Sequence, residues 1–102
     1  MNKRFIVIVE DATEQQHREL ANYVTSAEIS WWHWLDSLWL LVDNKGKISA
    51  ASLRDICKEI FPQKNFMVFE VPTFTGEFIT GQVRSQAQKS TEDWLKNVWQ
   101  KK

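Results

Sequence analysis

The 102-residue sequence lacks a second cysteine, a net charge and a long apolar run. Its one cysteine, Cys57, excludes an internal disulfide and is typical of a reducing cytoplasm. Thirteen basic and thirteen acidic residues cancel, so no overall field attracts nucleic acid or an acidic membrane. No apolar run approaches the ~18 residues of a membrane helix, and the start, MNKRFIVIVED, is too short an apolar run for a signal peptide. We expect one cytoplasmic domain.

The hydrophobic pattern predicts four strands and two helices. We expect the strands at residues 5–9, 29–34, 38–42 and 66–71. Thr13 and Ser49 are the expected helix N-caps, and Gln16 completes a capping box with Thr13. The second helix should end at Pro62. Its inward side carries an apolar stripe: Leu53, Ile56, Cys57 and Ile60.

The order strand, helix, strand, strand, helix, strand predicts an α+β fold of the ferredoxin-like βαββαβ type. Right-handed crossovers would place the first strand between the third and fourth, with the second at an edge. We assign residues 1–72 to this core and residues 73–89 to an arm or a short fifth strand. Residues 90–102 should form a C-terminal helix, capped by Ser90 or Thr91, that buries Trp94, Leu95 and Val98.

The stretch ISWWHWLDSLWLLVD, Ile29 to Asp43, holds four of the six tryptophans. Alternation along a strand places Trp31 and His33 on one face and Trp32 and Trp34 on the other, so both faces of the sheet are apolar. Two helices cover only one face. The second face needs the C-terminal helix, a second copy of the chain, or both. The sequence therefore predicts a homodimer with these interface residues: Trp31, Trp32, His33, Trp34, Trp39, Trp94 and Trp99.

Three carboxylates are expected at one end of the sheet. Glu10 and Asp11 follow the first strand, and Asp36 lies in the turn before the antiparallel third strand. They suggest a site for Mg²⁺ or Mn²⁺ in a metal-dependent nuclease. The alternative is that acids after a strand simply stabilise the start of the next helix.

The remaining candidate residues are more simply explained by structure than by chemistry. His33 is a possible base or stacking residue, but a histidine among aromatic residues is more often packed in an interface with a satisfied ring. His17 and Cys57 are read as structural residues. The Trp-rich hairpin could stack single-stranded nucleic acid through Trp31, Trp32 and Trp34, but no basic residues flank it. The sequence contains no phosphate loop, no zinc-ligand spacing and no Ser/His/Asp signature.

Several stretches resemble the SinR-like proteins, small bacterial proteins related to the CRISPR-associated ferredoxin-fold proteins that dimerise in spacer acquisition. These stretches are RFIVIVED, WWHWLDSLWLLVD, SAASLRD, FMVFEV and DWLKNVW. The resemblance implies a dimer. In the CRISPR-associated relatives a strand-ending aspartate is the proposed metal ligand, and its nearest equivalent here is Glu10 or Asp11. The Tyr-Asp pair customary in that strand is replaced by Val9-Glu10.

Together these observations predict a non-enzymatic homodimeric interaction module, in a mobile-element or defence context. The interaction module is expected to bind no cofactor, whereas the alternative nuclease would bind Mg²⁺ or Mn²⁺. The expected partner is a second copy of the chain, with another protein or nucleic acid as alternatives, and no membrane is involved.

Overall fold

The computed structural model of the chain describes residues 2–71, 91 and 93–99. These residues form an α+β fold whose elements, in chain order, are β1 (Lys3–Val9), α1 (Glu14–Ser26), β2 (Ser30–Leu35), β3 (Leu38–Asp43), α2 (Ala50–Ile60), β4 (Phe66–Val71) and a π-helix (Leu95–Trp99). The strand predicted at residues 66–71 is confirmed at both ends, and the other three differ from prediction by one or two residues at an end. The predicted arm or fifth strand at residues 73–89 lies outside the described residues.

The four strands form one antiparallel sheet in the order β2-β3-β1-β4. Val7 of β1 lies opposite Trp39 of β3 on one side and Val68 of β4 on the other. The first strand is therefore central and the second lies at an edge, as predicted. The element order and this strand order are compatible with a ferredoxin-like fold.

Both helices begin at the predicted caps. The Thr13 hydroxyl accepts a hydrogen bond from the Gln16 amide while the Gln16 side chain accepts one from the Thr13 amide, which is the predicted capping box. Ser49 caps α2 in the same way, with Ser52 as its partner. No helix among the described residues is long and apolar enough to cross a membrane.

The loop between β3 and α2 is held by a buried carboxylate. Asp43 accepts hydrogen bonds from the backbone amides of Lys45, Lys47 and Ile48 at 2.7–3.1 Å. Burial alone would raise the pKa of this carboxyl group, but the backbone amides hold its pKa below the ordinary value. Gly46 has a φ of 65°, a left-handed conformation that glycine adopts at low cost.

One face of the sheet packs against both helices, and we call it the helix-covered face. Its core contains these buried residues: Phe5, Val7, Val9, Leu20, Val24, Ile29, Trp39, Leu41, Leu53, Cys57 and Phe61. The stripe predicted for α2 therefore points inward, with Leu53 and Cys57 fully buried. Burial raises the pKa of the Cys57 thiol to about 12, so Cys57 is a core residue rather than a nucleophile, as predicted.

The opposite face, which we call the open face, is partly covered by the C-terminal segment, meaning residues 91 and 93–99. Trp32, Leu40, Val42 and Trp99 form a second buried cluster there. The Trp32 indole N–H donates to the Thr91 hydroxyl at 3.0 Å, and the Arg4 guanidinium donates to the Trp99 carbonyl. The C-terminal segment is thus one of the candidate covers that the sequence predicted for this face.

The helix type and the buried residues of the C-terminal segment differ from the prediction. Residues 95–99 form a π-helix, and Trp99 is the fully buried side chain, whereas Trp94, Leu95 and Val98 are only partly buried around it. A π-helix joins residues five apart, which places Trp94 and Trp99 on the same side with ring centroids 6.2 Å apart. Thr91 is itself helical, and its hydroxyl accepts the hydrogen bond from Trp32.

Candidate functional site

The seven side chains predicted for a dimer interface divide into buried and accessible groups. Trp32, Trp39 and Trp99 are buried inside the chain at 6%, 1% and 1% exposure, so they build the two cores and cannot reach a partner. His33 and Trp94 are partly buried. Trp31 and Trp34 remain exposed at 38% and 58%. An aromatic contact with a partner at the β2 edge therefore depends on these last two residues.

The three predicted carboxylates line one acidic cleft at an end of the sheet. The amide of Val9 donates to the carbonyl of Ser37 at 2.9 Å, which holds the end of β1 against the β2–β3 turn. Asp11 has a φ of 52°, a left-handed conformation that aspartate adopts more readily than most residues. The cleft is lined by Ile8, Val9, Glu10, Asp11, Ala12, Glu14, His17, His33, Asp36 and Ser37.

These carboxylates lie in one cleft, but they are not arranged to bind a metal ion together. Among the described residues, no three His, Cys, Asp or Glu side chains are placed so that they could hold a metal ion. The Glu10 carboxylate instead accepts a hydrogen bond from the Asn65 side-chain amide at 2.9 Å, which ties it to the residue before β4. Glu10, Asp11 and Asp36 therefore supply negative charge at this end of the sheet.

Two histidines and a tryptophan stack where α1 crosses the β2–β3 hairpin. The His33 ring lies parallel to the Trp39 indole with centroids 4.0 Å apart, and the His17 ring lies 4.4 Å from that of His33. The sequence predicted that His33 lies on the same face as Trp31 and that His17 is a structural residue. Nothing in the sequence sets how far α1 is shifted along β2, so the pairing of the two rings was missed.

The hydrogen bonds define which nitrogen of each imidazole carries a proton. The Trp39 indole N–H donates to Nδ1 of His17 at 3.3 Å, so that nitrogen is unprotonated. Nδ1 of His33 lies 2.9 Å from the Leu38 carbonyl and must be the donor there. Burial lowers the pKa of both histidines, and the negative charge of Asp36 opposes this shift in each. The net shift of each pKa favours the neutral form of the ring.

An apolar groove runs around the β2 edge beside α1, and we call it the aromatic groove. Trp31 forms its wall, with its ring 5.3 Å from that of Trp39 and its indole N–H bonded to the Thr25 hydroxyl at 3.2 Å. The groove has a volume of about 500 Å³. Its lining comprises Glu14, His17, Arg18, Ala21, Trp31, Trp32, His33, Trp34, Trp39 and Trp94, and it shares three of these residues with the acidic cleft: Glu14, His17 and His33.

A second apolar surface lies on the open face, away from the aromatic groove. Ile8, Met67 and Phe69 are exposed at 38%, 59% and 42%. Ile8 lies directly opposite Met67 in the sheet, and Phe69 is two residues further along β4 on the same face. We call these three residues the β4 patch.

No family model, no curated protein and no solved structure matches the chain. The resemblance to the SinR-like proteins therefore stays a prediction from the quoted sequence stretches. Functional inference for this chain depends on its own surfaces.

Proposed function

We propose that the chain is a ferredoxin-like βαββαβ domain that works as a non-enzymatic, homodimeric interaction module in the cytoplasm. The observation that carries this proposal is the exposed β4 patch, Ile8, Met67 and Phe69, beside a sheet edge. Burying one large apolar side chain contributes about 1.5–3 kcal/mol, and a two-fold dimer buries each residue of the patch twice. A mobile-element or defence context, suggested by the SinR-like resemblance, forms part of the same proposal.

The β4 edge favours a second copy of the chain as its occupant. Within the described residues β4 pairs only with β1, and its register there is regular over six residue pairs. The β2 edge, by contrast, is irregular between Trp32 and Leu35, and such irregularities discourage strand pairing. Antiparallel pairing of two β4 strands about a two-fold axis would join two four-stranded sheets into one.

Side-chain contacts favour one register of this pairing, and charge disfavours another. If Val68 lies opposite the partner's Val68, Met67 lies opposite the partner's Phe69, which joins the two patches through sulfur–aromatic contacts. Glu70 then lies opposite the partner's Phe66. A register centred on residue 70 would instead place two Glu70 carboxylates face to face, which is destabilising.

Light scattering at micromolar concentration tests the dimer. We expect twice the chain mass of 12.1 kDa for the wild type. Phe69→Lys should yield the monomer, because a charge on an exposed edge opposes pairing. The matched control is Ala51→Lys on the exposed side of α2, which should stay dimeric. A wild-type mass of 12.1 kDa refutes the proposal.

Cysteine cross-linking tests the register. Directly opposed Cα atoms in an antiparallel pair lie about 4.5–5.5 Å apart, within disulfide range, whereas diagonal neighbours lie about 7–8 Å apart. A mixture of the Met67→Cys and Phe69→Cys proteins should therefore cross-link faster than either protein alone. Cys57 does not compete, because it is buried. Faster cross-linking of either protein by itself would assign a different register.

The two alternatives from the sequence receive less support. A nuclease using Glu10, Asp11 and Asp36 needs carboxylates converging on an ion, and Glu10 is instead bonded to Asn65. A single-strand binder using Trp31, Trp32 and Trp34 needs exposed rings, and Trp32 is buried. The carboxylates beside the groove would also repel a phosphate backbone.

A further inference from the structure

The aromatic groove and the acidic cleft form one continuous concave surface, because both are lined by Glu14, His17 and His33. The described lining of this surface carries four carboxylates and one guanidinium. The carboxylates are Glu10, Asp11, Glu14 and Asp36, and the guanidinium belongs to Arg18. Arg18 is itself paired with Glu14 at 3.0 Å. An occupant of this surface therefore meets apolar aromatic rings and an excess of negative charge.

The chemistry that complements such a surface is a flat cation. A guanidinium group stacks on an indole face within about 6 Å, and it donates two parallel hydrogen bonds to one carboxylate. Trp31 and Trp34 are exposed residues of the groove, and Asp36 is an exposed residue of the adjoining cleft. A lysine ammonium lacks both the planar face and the fork of donors.

The position of the groove on the sheet points to a polypeptide as the carrier of this cation. The groove wraps around β2, the outermost strand, whose outer edge pairs with no other described strand. An extended segment that follows the groove directs alternate side chains to one side, so it can fill the groove without pairing along the irregular edge of β2. A nucleic acid would bring phosphates toward four carboxylates, which repel it.

From these observations we infer that the groove between α1 and β2 binds an extended segment of a partner protein that inserts an arginine side chain against Trp31 and Trp34. The guanidinium stacks on an indole ring of the groove, the carboxylates of the adjoining cleft, Asp36 among them, attract its charge, and apolar neighbours of the arginine pack along the groove. The groove lies at the β2 edge and the β4 patch extends to the opposite edge of the sheet, although Ile8 of the patch also lines the acidic cleft.

The experiment compares two peptides of equal shape, Ac-Val-Arg-Val-Arg-Val-amide and its citrulline analogue, in which each arginine is replaced by its neutral isostere. Binding is followed by the ¹H–¹⁵N signals of the Trp31 and Trp34 indole groups. We expect the arginine peptide to shift these signals and to bind about tenfold more tightly than the citrulline peptide, because only a guanidinium forms charge-assisted bonds. Equal binding of the two peptides, or binding of neither, refutes the inference.

Three variants and one competitor locate the interaction. Asp36→Asn should weaken arginine-peptide binding several-fold and leave citrulline-peptide binding unchanged. The matched control is Asp55→Asn, an exposed carboxylate on α2 outside the groove lining, which should bind as the wild type does. Tighter binding of an eight-residue oligo-dT than of the arginine peptide would overturn the inference in favour of nucleic acid. The monomeric Phe69→Lys protein should bind the arginine peptide as tightly as the wild type does. A failure of the groove hypothesis can therefore be distinguished from a failure of the dimer hypothesis.

Discussion

Trp99 should contribute most of the stability that the C-terminal segment gives to the fold. Its ring is 1% exposed and packs in one cluster with Trp32, Leu40 and Val42 on the open face. Truncating a buried aromatic side chain to alanine costs about 3–5 kcal/mol. In a domain of about 100 residues each kcal/mol lowers the melting temperature by about 4–8 °C, so Trp99→Ala should melt at least about 12 °C below the wild type.

Thermal unfolding followed by circular dichroism at fixed protein concentration measures this difference. The matched control is Trp34→Ala, which removes the same side chain from a position that is 58% exposed and should change stability by no more than about 0.5 kcal/mol. The Trp99→Ala variant should also expose Trp32, which shifts its fluorescence to longer wavelength. If the two alanine variants melt within a few degrees of each other, the C-terminal segment does not cover the open face as described.

Two further predictions concern the acidic cleft and its histidines. Burial lowers the pKa of His17 and His33, so below about pH 6.5 the folded state binds fewer protons than the unfolded state. The free energy of unfolding should therefore be highest above about pH 6.5 and should fall as the pH drops below that value. Urea unfolding at pH 7.5 and 5.5 measures this loss of free energy. The loss should be smaller in the His17→Gln/His33→Gln variant. If the wild type and the variant lose the same amount, other groups cause the effect. We also expect no cleavage of single- or double-stranded DNA or RNA with Mg²⁺ or Mn²⁺. Cleavage that disappears in both Glu10→Gln and Asp11→Asn would restore the nuclease reading, whereas cleavage that survives both would indicate a contaminant.

The alternation of side chains in the Trp-rich stretch was sufficient to predict the two faces of the sheet. Trp31 lies on the helix-covered face, and Trp32 lies on the open face with Leu40. The exposure of each ring could not be predicted in the same way, because it depends on a segment about 60 residues further along the chain. Trp32 is buried by Trp99 and Thr91, and no local pattern near residue 32 indicates this.

The acidic cleft shows the same division between topology and detailed geometry. The antiparallel pairing of β1 with β3 was enough to bring Glu10 and Asp11 to the end of the sheet that holds Asp36. The directions of their side chains depend on local partners, such as the hydrogen bond from Asn65 to Glu10. The pairing of His17 with His33 depends on how α1 lies over β2, which is set by packing across the whole helix-covered face.

The two proposed surfaces lie at opposite edges of the sheet, and this placement has a consequence for a dimer. Pairing two chains through β4 leaves the β2 strand of each chain outermost in an eight-stranded sheet. Seven inter-strand spacings of about 4.8 Å would separate the two aromatic grooves by roughly 34 Å. A partner could present two arginine-bearing segments on a linker that matches this span. Binding of the first segment would then raise the effective concentration of the second at the other groove, so the overall affinity would increase without any new contact. Dimerisation through β4 would then serve recognition at β2, since a single groove of about 500 Å³ offers only a small contact area.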